Sequence, residues 1–426
     1  MARLLLDLGP LAHLSSGEGP LRGLAMSDDE ALVSPSGMGI VVDNGIITNI
    51  ADSENLRDEF LGGLRGNELE FTEINGHQVL EVGGRAVIPG LVDAHTHLLW
   101  GGDRSRELRW RLNGMSYADI AAKGGGIAST VAATREMNME SLLECGLSRM
   151  ETALRHGTTA LEVKSGYGLN TESELRLLEA AVSLHGLSID STWLGAHAAP
   201  PNMSRSDYFE EILSEQLPAV LDSGMSRSAD VFCEPGWFSL EETEEICKAA
   251  KAGGMDIRLH VDEFVDGDGL ALAAELGSQS GDHAHWSSDE ARATANAANS
   301  MQCFLPATPY SMGETHFPPA QQCIDEEWVW CAASDFNPNC RTLSLPFIGS
   351  LLSQRMGIDP LASLVAVSRN PAENVMHDDD LVHGQITVGG AANLNIIDSS
   401  HWETWCSLPG HSPFVGTLVG GEFLLH

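Results

Sequence analysis

VIPGLVDAHTHLLWGGDR, residues 87–104, decides how this chain is read. It opens on an apolar run with the character of a buried strand, and His95 and His97 stand at the end of that run with one threonine between them. Side chains two apart on a strand share a face. Two imidazoles side by side pack a core poorly and grip a metal ion well. Arg104 follows seven residues after His97.

Similar apolar runs recur at 87–94, 158–164, 190–197, 230–234, 256–261, 278–283, 301–306 and 328–334. Most gaps between them hold amphipathic stretches of helical length, such as ESELRLLEAAVSLHG and SLEETEEICKAAKAGG. The second ends in Gly253-Gly254, a helix stop signal. Strands alternating with helices predict an α/β fold, a (β/α)8 TIM-like barrel over residues 87–380 with its site at the C-terminal strand ends. A doubly wound sheet is the competing arrangement, but no GxGxxG follows an early strand. KGGGIAST at 123–130 lacks a phosphate loop's lysine and reads as a flexible active-site loop. GIVVDNGIITNIAD predicts a hairpin around Asn44-Gly45. GQITVGGAANLNIIDSS and FVGTLVGGEFLLH also read as short strands. Residues 1–86 and 381–426 are therefore expected to pair as one small β-sandwich domain built from both termini.

Composition narrows the partners. The chain has 426 residues, 43% of them hydrophobic, and 60 acidic against 24 basic side chains, for a net charge of −36. Such a surface repels phosphate backbones and anionic membranes, which argues against nucleic acid or lipid as a partner. The eight cysteines form no CxxC pair and read as reduced thiols. No apolar run reaches signal-peptide or membrane-spanning length, so a cytoplasmic protein is expected.

On the barrel frame the unusual residues converge. His95 and His97 end strand one, Tyr167 follows strand two, His197 ends strand three, and Glu234 ends strand four. His260 ends strand five with Glu263 just beyond, His283 ends strand six, and Asp335 ends strand eight. His95, His97, His260 and Asp335 make an N3O set suited to one Zn²⁺ or Fe²⁺ ion, zinc favoured, with room for a water. Glu263, on the loop past strand five, is placed to take that water's proton and pass it to a leaving nitrogen. Glu234 reads as a structural carboxylate, and so do His185 and His316 as structural histidines. Lys164 lies on strand two.

PGLVDAHTH, GGDRSRELRWRLNGMSY, GGGIASTVAATR, EVKSGYGL, LGAHAAPP, HVDEF and SDFNP, spread from about Pro89 to Asn370, resemble the amidohydrolase superfamily and, within it, the imidazolonepropionase family. The HxH pair, the strand-five histidine and the strand-eight aspartate are shared with purine and pyrimidine deaminases; EVKSGYG, GGGI and DFNP are more particular. The resemblance implies hydrolytic opening of 4-imidazolone-5-propanoate to N-formimidoyl-L-glutamate, in L-histidine degradation, by a homodimer. A deaminase acting on guanine or cytosine is the alternative. The resemblance also implies metal ligands at His95, His97, His260 and Asp335. Substrate contacts would come from Arg104, Tyr167, His197 and Glu263, with Asn337, Asn339 and Cys340 near the product. Arg104 would hold the anionic substrate's propionate and His283 would polarise the ring carbonyl. Superfamily members with two metals bridge them by a carboxylated lysine at the end of strand four; this strand ends in DVFCE, so one metal is expected. Asn339-Cys340 departs from the glycine and small hydroxyl residue usual after DFNP.

Overall fold

The computed structural model describes residues 2–376 and 381–426. Eight parallel strands follow chain order round a barrel: β1 (Leu91–Asp93), β2 (Thr158–Lys164), β3 (Ser188–Ala196), β4 (Ser228–Cys233), β5 (Asp256–Val261), β6 (Ser280–His283), β7 (Met301–Phe304) and β8 (Trp330–Ala332). The first and last strands meet through the segments that follow them. Asp335 N–H donates to the His95 carbonyl at 3.1 Å, and His97 N–H to the Phe336 carbonyl at 2.9 Å.

The helices form where the pattern asks for them. Thr171–Ser183 starts at Asn170, whose side chain accepts from the Ser173 N–H, and buries Leu177, Leu178 and Ala181. Leu240–Ala252 begins with a reciprocal capping box between Ser239 and Glu242 and ends at Gly253. No helix among the described residues is long and apolar enough to cross a membrane.

Two further sheets complete the α/β fold. One has five strands, all from residues 3–81. The other has six: Leu11–Ala12, Val33–Ser34, Val87–Pro89, Leu394–Ile397, Phe414–Val419 and Glu422–Leu425. Leu5, Ile40 and Leu80 of the first meet Leu394, Ile396 and Leu418 of the second in a common buried core, the sandwich built from both termini. The hairpin turns at Asn44 and Gly45, whose φ angles of 49° and 79° suit a tight two-residue turn.

The run 87–94 differs from its reading as one barrel strand. It is two short strands, and Gly90 divides them. Gly90 N–H donates to the Asn393 carbonyl of the terminal segment, whereas Leu91 N–H donates to the Gly157 carbonyl beside the barrel, both at 2.9 Å. The backbone thus changes sheets across one residue, and Val87–Pro89 pairs with Leu394–Ile397. The domain boundary expected at 380/381 touches residues 377–380, which lie outside the described residues. A Cβ at position 90 would overlap the Thr159 side chain. Gly90→Ala should therefore lower unfolding free energy by about 1–3 kcal/mol, read as a lower urea midpoint with an unchanged slope.

Candidate active site

Three histidines and one aspartate meet at the C-terminal end of the barrel. His95 and His97 follow β1, His260 lies within β5, and Asp335 follows β8. All four are at most 2% exposed. The Nε2 atoms of His97 and His260 face each other at 3.4 Å. Asp335 Oδ1 lies 3.6 Å from His95 Nε2 and 3.7 Å from His97 Nε2. His95 Nε2 and Asp335 Oδ1 are buried with no hydrogen-bond partner. Burying such atoms unpaired is costly. Ligands about 2.0–2.2 Å from a shared tetrahedral ion stand roughly 3.3–3.6 Å apart, close to these separations. The donors fit a single divalent metal.

His283 comes near the same place, within a second group made with His95 and Asp335. Its Nε2 lies 3.7 Å from Glu263 Oε2. His283 and Asp335 both have left-handed backbones, with φ of 66° and 51°. For residues other than glycine this is unusual and typical of functional turns.

Burial decides the protonation states. Burial first, then neighbouring positive groups, holds His95, His97 and His283 well below the ordinary imidazole value. Burial likewise brings His197 down to about 4. Neutral imidazoles are the form that ligates metals. Glu263 goes the other way: burial, then the charge of Asp335, lifts its carboxyl well above the usual carboxylate range. A carboxyl raised in this way suits proton transfer near neutrality.

The imidazoles are held from behind. His95 Nδ1 lies 2.6 Å from Asp282 Oδ2, and His260 Nδ1 lies 2.9 Å from Asp230 Oδ2. A carboxylate on Nδ1 keeps the proton there and leaves the Nε2 lone pair facing the site. Thr308 donates its hydroxyl to Asp335 Oδ2, so Oδ1 is the oxygen left to the cluster. Asp282 and Asp230 escaped the reading of the sequence. For Asp230 a signal existed: period-two alternation puts it on the same strand face as Phe232, which lines the cavity.

Glu234 accepts from the backbone N–H groups of Glu263, Phe264 and Val265 at 3.0–3.1 Å, holding the loop that carries Glu263. That is the structural carboxylate expected. His185 and His316 are both exposed, and His316 stacks on Trp286 with ring centres 4.3 Å apart.

Above the cluster opens a cavity of about 540 Å³ whose wall includes Arg104, Tyr167, His197, Glu263, Asn337 and Asn339. His197 stacks on His97 with ring centres 5.1 Å apart, and its Nδ1–H donates to the Gly166 carbonyl at 2.9 Å. Tyr167 meets His197 edge-on at 5.2 Å. Cys340 is not part of the wall. It is 1% exposed, and its thiol donates to the Ser334 carbonyl at 3.5 Å. The turn forces this, because Asn337 Oδ1 accepts from the Asn339 and Cys340 N–H groups and curls the chain inward.

Glu107 was also missed. Its carboxylate takes Nε and Nη2 of Arg104 at 2.9 and 2.8 Å, and accepts from Gly126 N–H at 2.8 Å. The glycine stretch read as a flexible loop is thereby tied to the arginine. Arg104 itself lines the cavity, with Nη1 left outside the pair with Glu107.

Solved structures share this architecture. A guanine deaminase from C. acetobutylicum with bound guanine superposes with a TM-score of 0.68 at 14% identity, covering 100% of both chains. An adenosine deaminase from Xanthomonas campestris with bound zinc gives 0.66 at 16% identity, covering 99% of this chain and 92% of that one. Barrel and imidazole cluster together define the class, a (β/α)8 barrel with a site able to hold a metal ion at its C-terminal strand ends. Sequence goes further. The imidazolonepropionase of Symbiobacterium thermophilum is 37% identical over 407 residues, 94% of this chain and 92% of that protein. That of Haloarcula marismortui is 39% identical over 316 residues, 73% of this chain and 75% of that protein. This chain belongs to the imidazolonepropionase family. No family profile matches it.

Proposed function

We propose that this protein hydrolyses the cyclic amide C–N bond of 4-imidazolone-5-propanoate, giving N-formimidoyl-L-glutamate in L-histidine degradation. The observation that carries the reading is one cavity with a metal-type donor set at its base, a raised carboxyl at Glu263 and an arginine edge at Arg104 on its wall. His95, His97, His260 and Asp335 would hold one divalent ion, zinc in preference to iron. When bound, such an ion supplies Lewis acidity and an acidified water.

The chain's own groups do the rest. Arg104, aligned by Glu107, binds the propionate through charge-assisted hydrogen bonds. Tyr167 and His197 confine the ring. Neutral His283 offers one N–H to the ring carbonyl oxygen as negative charge develops there. Glu263 accepts a proton from the attacking water and delivers it to the leaving ring nitrogen. Asn337 and Asn339 face the product side, and the turn geometry removes Cys340 from direct contact. The same reading includes a cytoplasmic homodimer acting on a small anionic substrate.

The test is a coupled assay with freshly generated imidazolone and metal analysis on the same sample. Loss of imidazolone absorbance with formation of formimidoyl-glutamate supports the assignment. Ammonia release from guanine or cytosine, without imidazolone turnover, would replace it with a deaminase. Arg104→Met should raise KM by about 10- to 100-fold, the worth of a charged hydrogen bond, with kcat changed far less. Glu107→Gln should shift KM the same way by a smaller factor. A KM unchanged in Arg104→Met would remove the propionate from that edge.

A further inference from the structure

The barrel interior below the imidazoles is charged, where such interiors are ordinarily packed with branched apolar side chains. At its centre is Lys164, buried at the end of β2. Its Nζ lies 2.8 Å from Glu162 Oε1, 2.8 Å from Asp230 Oδ2 and 3.5 Å from Asp282 Oδ2. Asp230 and Asp282 are the two carboxylates that hold Nδ1 of His260 and His95. Arg258 lies further round, at 2.6 Å from Asp190 Oδ2 and 3.5 Å from Glu162 Oε1. Lys164 Nζ thus stands within 3.5 Å of both carboxylates that support the imidazoles.

The electrostatics make this placement consequential. Three buried carboxylates converge on one ammonium, and a fully buried charge persists only if paired. One ammonium lies between them. Without it the carboxylates repel, and Asp230 or Asp282 is driven to turn away from the others. Such a turn loosens the Nδ1 contact that orients an imidazole.

We propose that Lys164 is a positioning residue for the metal site: it tethers Asp282 and Asp230 together, and through them aims His95 and His260 at the ion. The inference rests on the proposed metal site and assigns its support to a residue that never touches the ion. It also explains why this barrel keeps a buried lysine on β2 although it lies at the wrong strand to bridge two metals.

The test uses the full-length metal-free protein as wild type, Lys164→Met, Asp282→Asn and the double variant. Each is titrated with Zn²⁺ against a chromophoric chelator, with circular dichroism to establish folding. Loss of an outer partner typically weakens metal affinity by about 10- to 100-fold, and Lys164→Met should show a loss of that size. The double variant should bind little more weakly than either single variant, because both act on the same imidazoles. A purely structural lysine would lower the thermal midpoint of the metal-free protein and leave Zn²⁺ affinity within about twofold; that result overturns the proposal. Should Lys164→Met not fold, Lys164→Gln is titrated in its place: a tenfold weaker affinity supports the tether, and an unchanged one overturns it. A wild type that binds no zinc would overturn the metal site itself, and the tether with it.

Discussion

Asp335→Asn should abolish turnover, by a factor on the order of 10³ or more, and should leave the protein with little bound metal. The substitution preserves volume and a partner for the Thr308 hydroxyl but removes the anionic oxygen from a nest of three imidazoles. Burial pushes the Asp335 carboxyl up from its usual value, so in the metal-free protein its charge is a burden. The metal-free variant should therefore unfold at a temperature no lower than metal-free wild type. Metal analysis after gel filtration, imidazolone turnover and a thermal scan give the three readings. Stoichiometric metal with wild-type turnover would take Asp335 out of the ligand set.

Glu263→Gln is expected to separate chemistry from binding. The carboxamide keeps the size of the side chain and cannot shuttle a proton, so kcat should fall by about 10²- to 10⁴-fold. KM and metal content should stay close to wild type, since Glu263 belongs to neither metal-type group. Loss of metal together with kcat would instead make Glu263 part of the donor set. Stopped-flow measurement of the imidazolone absorbance reports the chemical step directly.

The barrel was legible because its strands are short apolar runs separated by capped amphipathic helices, and β2 and β5 occupy the spans expected for them. Convergence of His95, His97, His260 and Asp335 followed from strand-end position alone. What escaped was support, not donors. Asp282 sits beside His283 and was overshadowed by it, although neighbouring strand residues face opposite ways and Asp282 had to find its own buried partner. Glu107 has the pattern of any helix acid in RSRELRWRL, and nothing local shows that its face turns inward to Arg104. Cys340 failed for a third reason: the inward curl is set by the Asn337 side chain bonding backbone two and three residues on, which spacing does not reveal. Gly90 shows the same limit, since an apolar run does not disclose where its hydrogen bonds change sheets.

The seam at which Asp335 N–H meets the His95 carbonyl has a consequence for biosynthesis. A nascent chain displays His95 and His97 early, yet the backbone that orders them arrives only with the last barrel strand. Contacts of such wide sequence separation form slowly, after most of the ordering entropy has been lost. The donor set is thus complete only in the finished barrel: on the ribosome the histidine pair stands without His260 and Asp335.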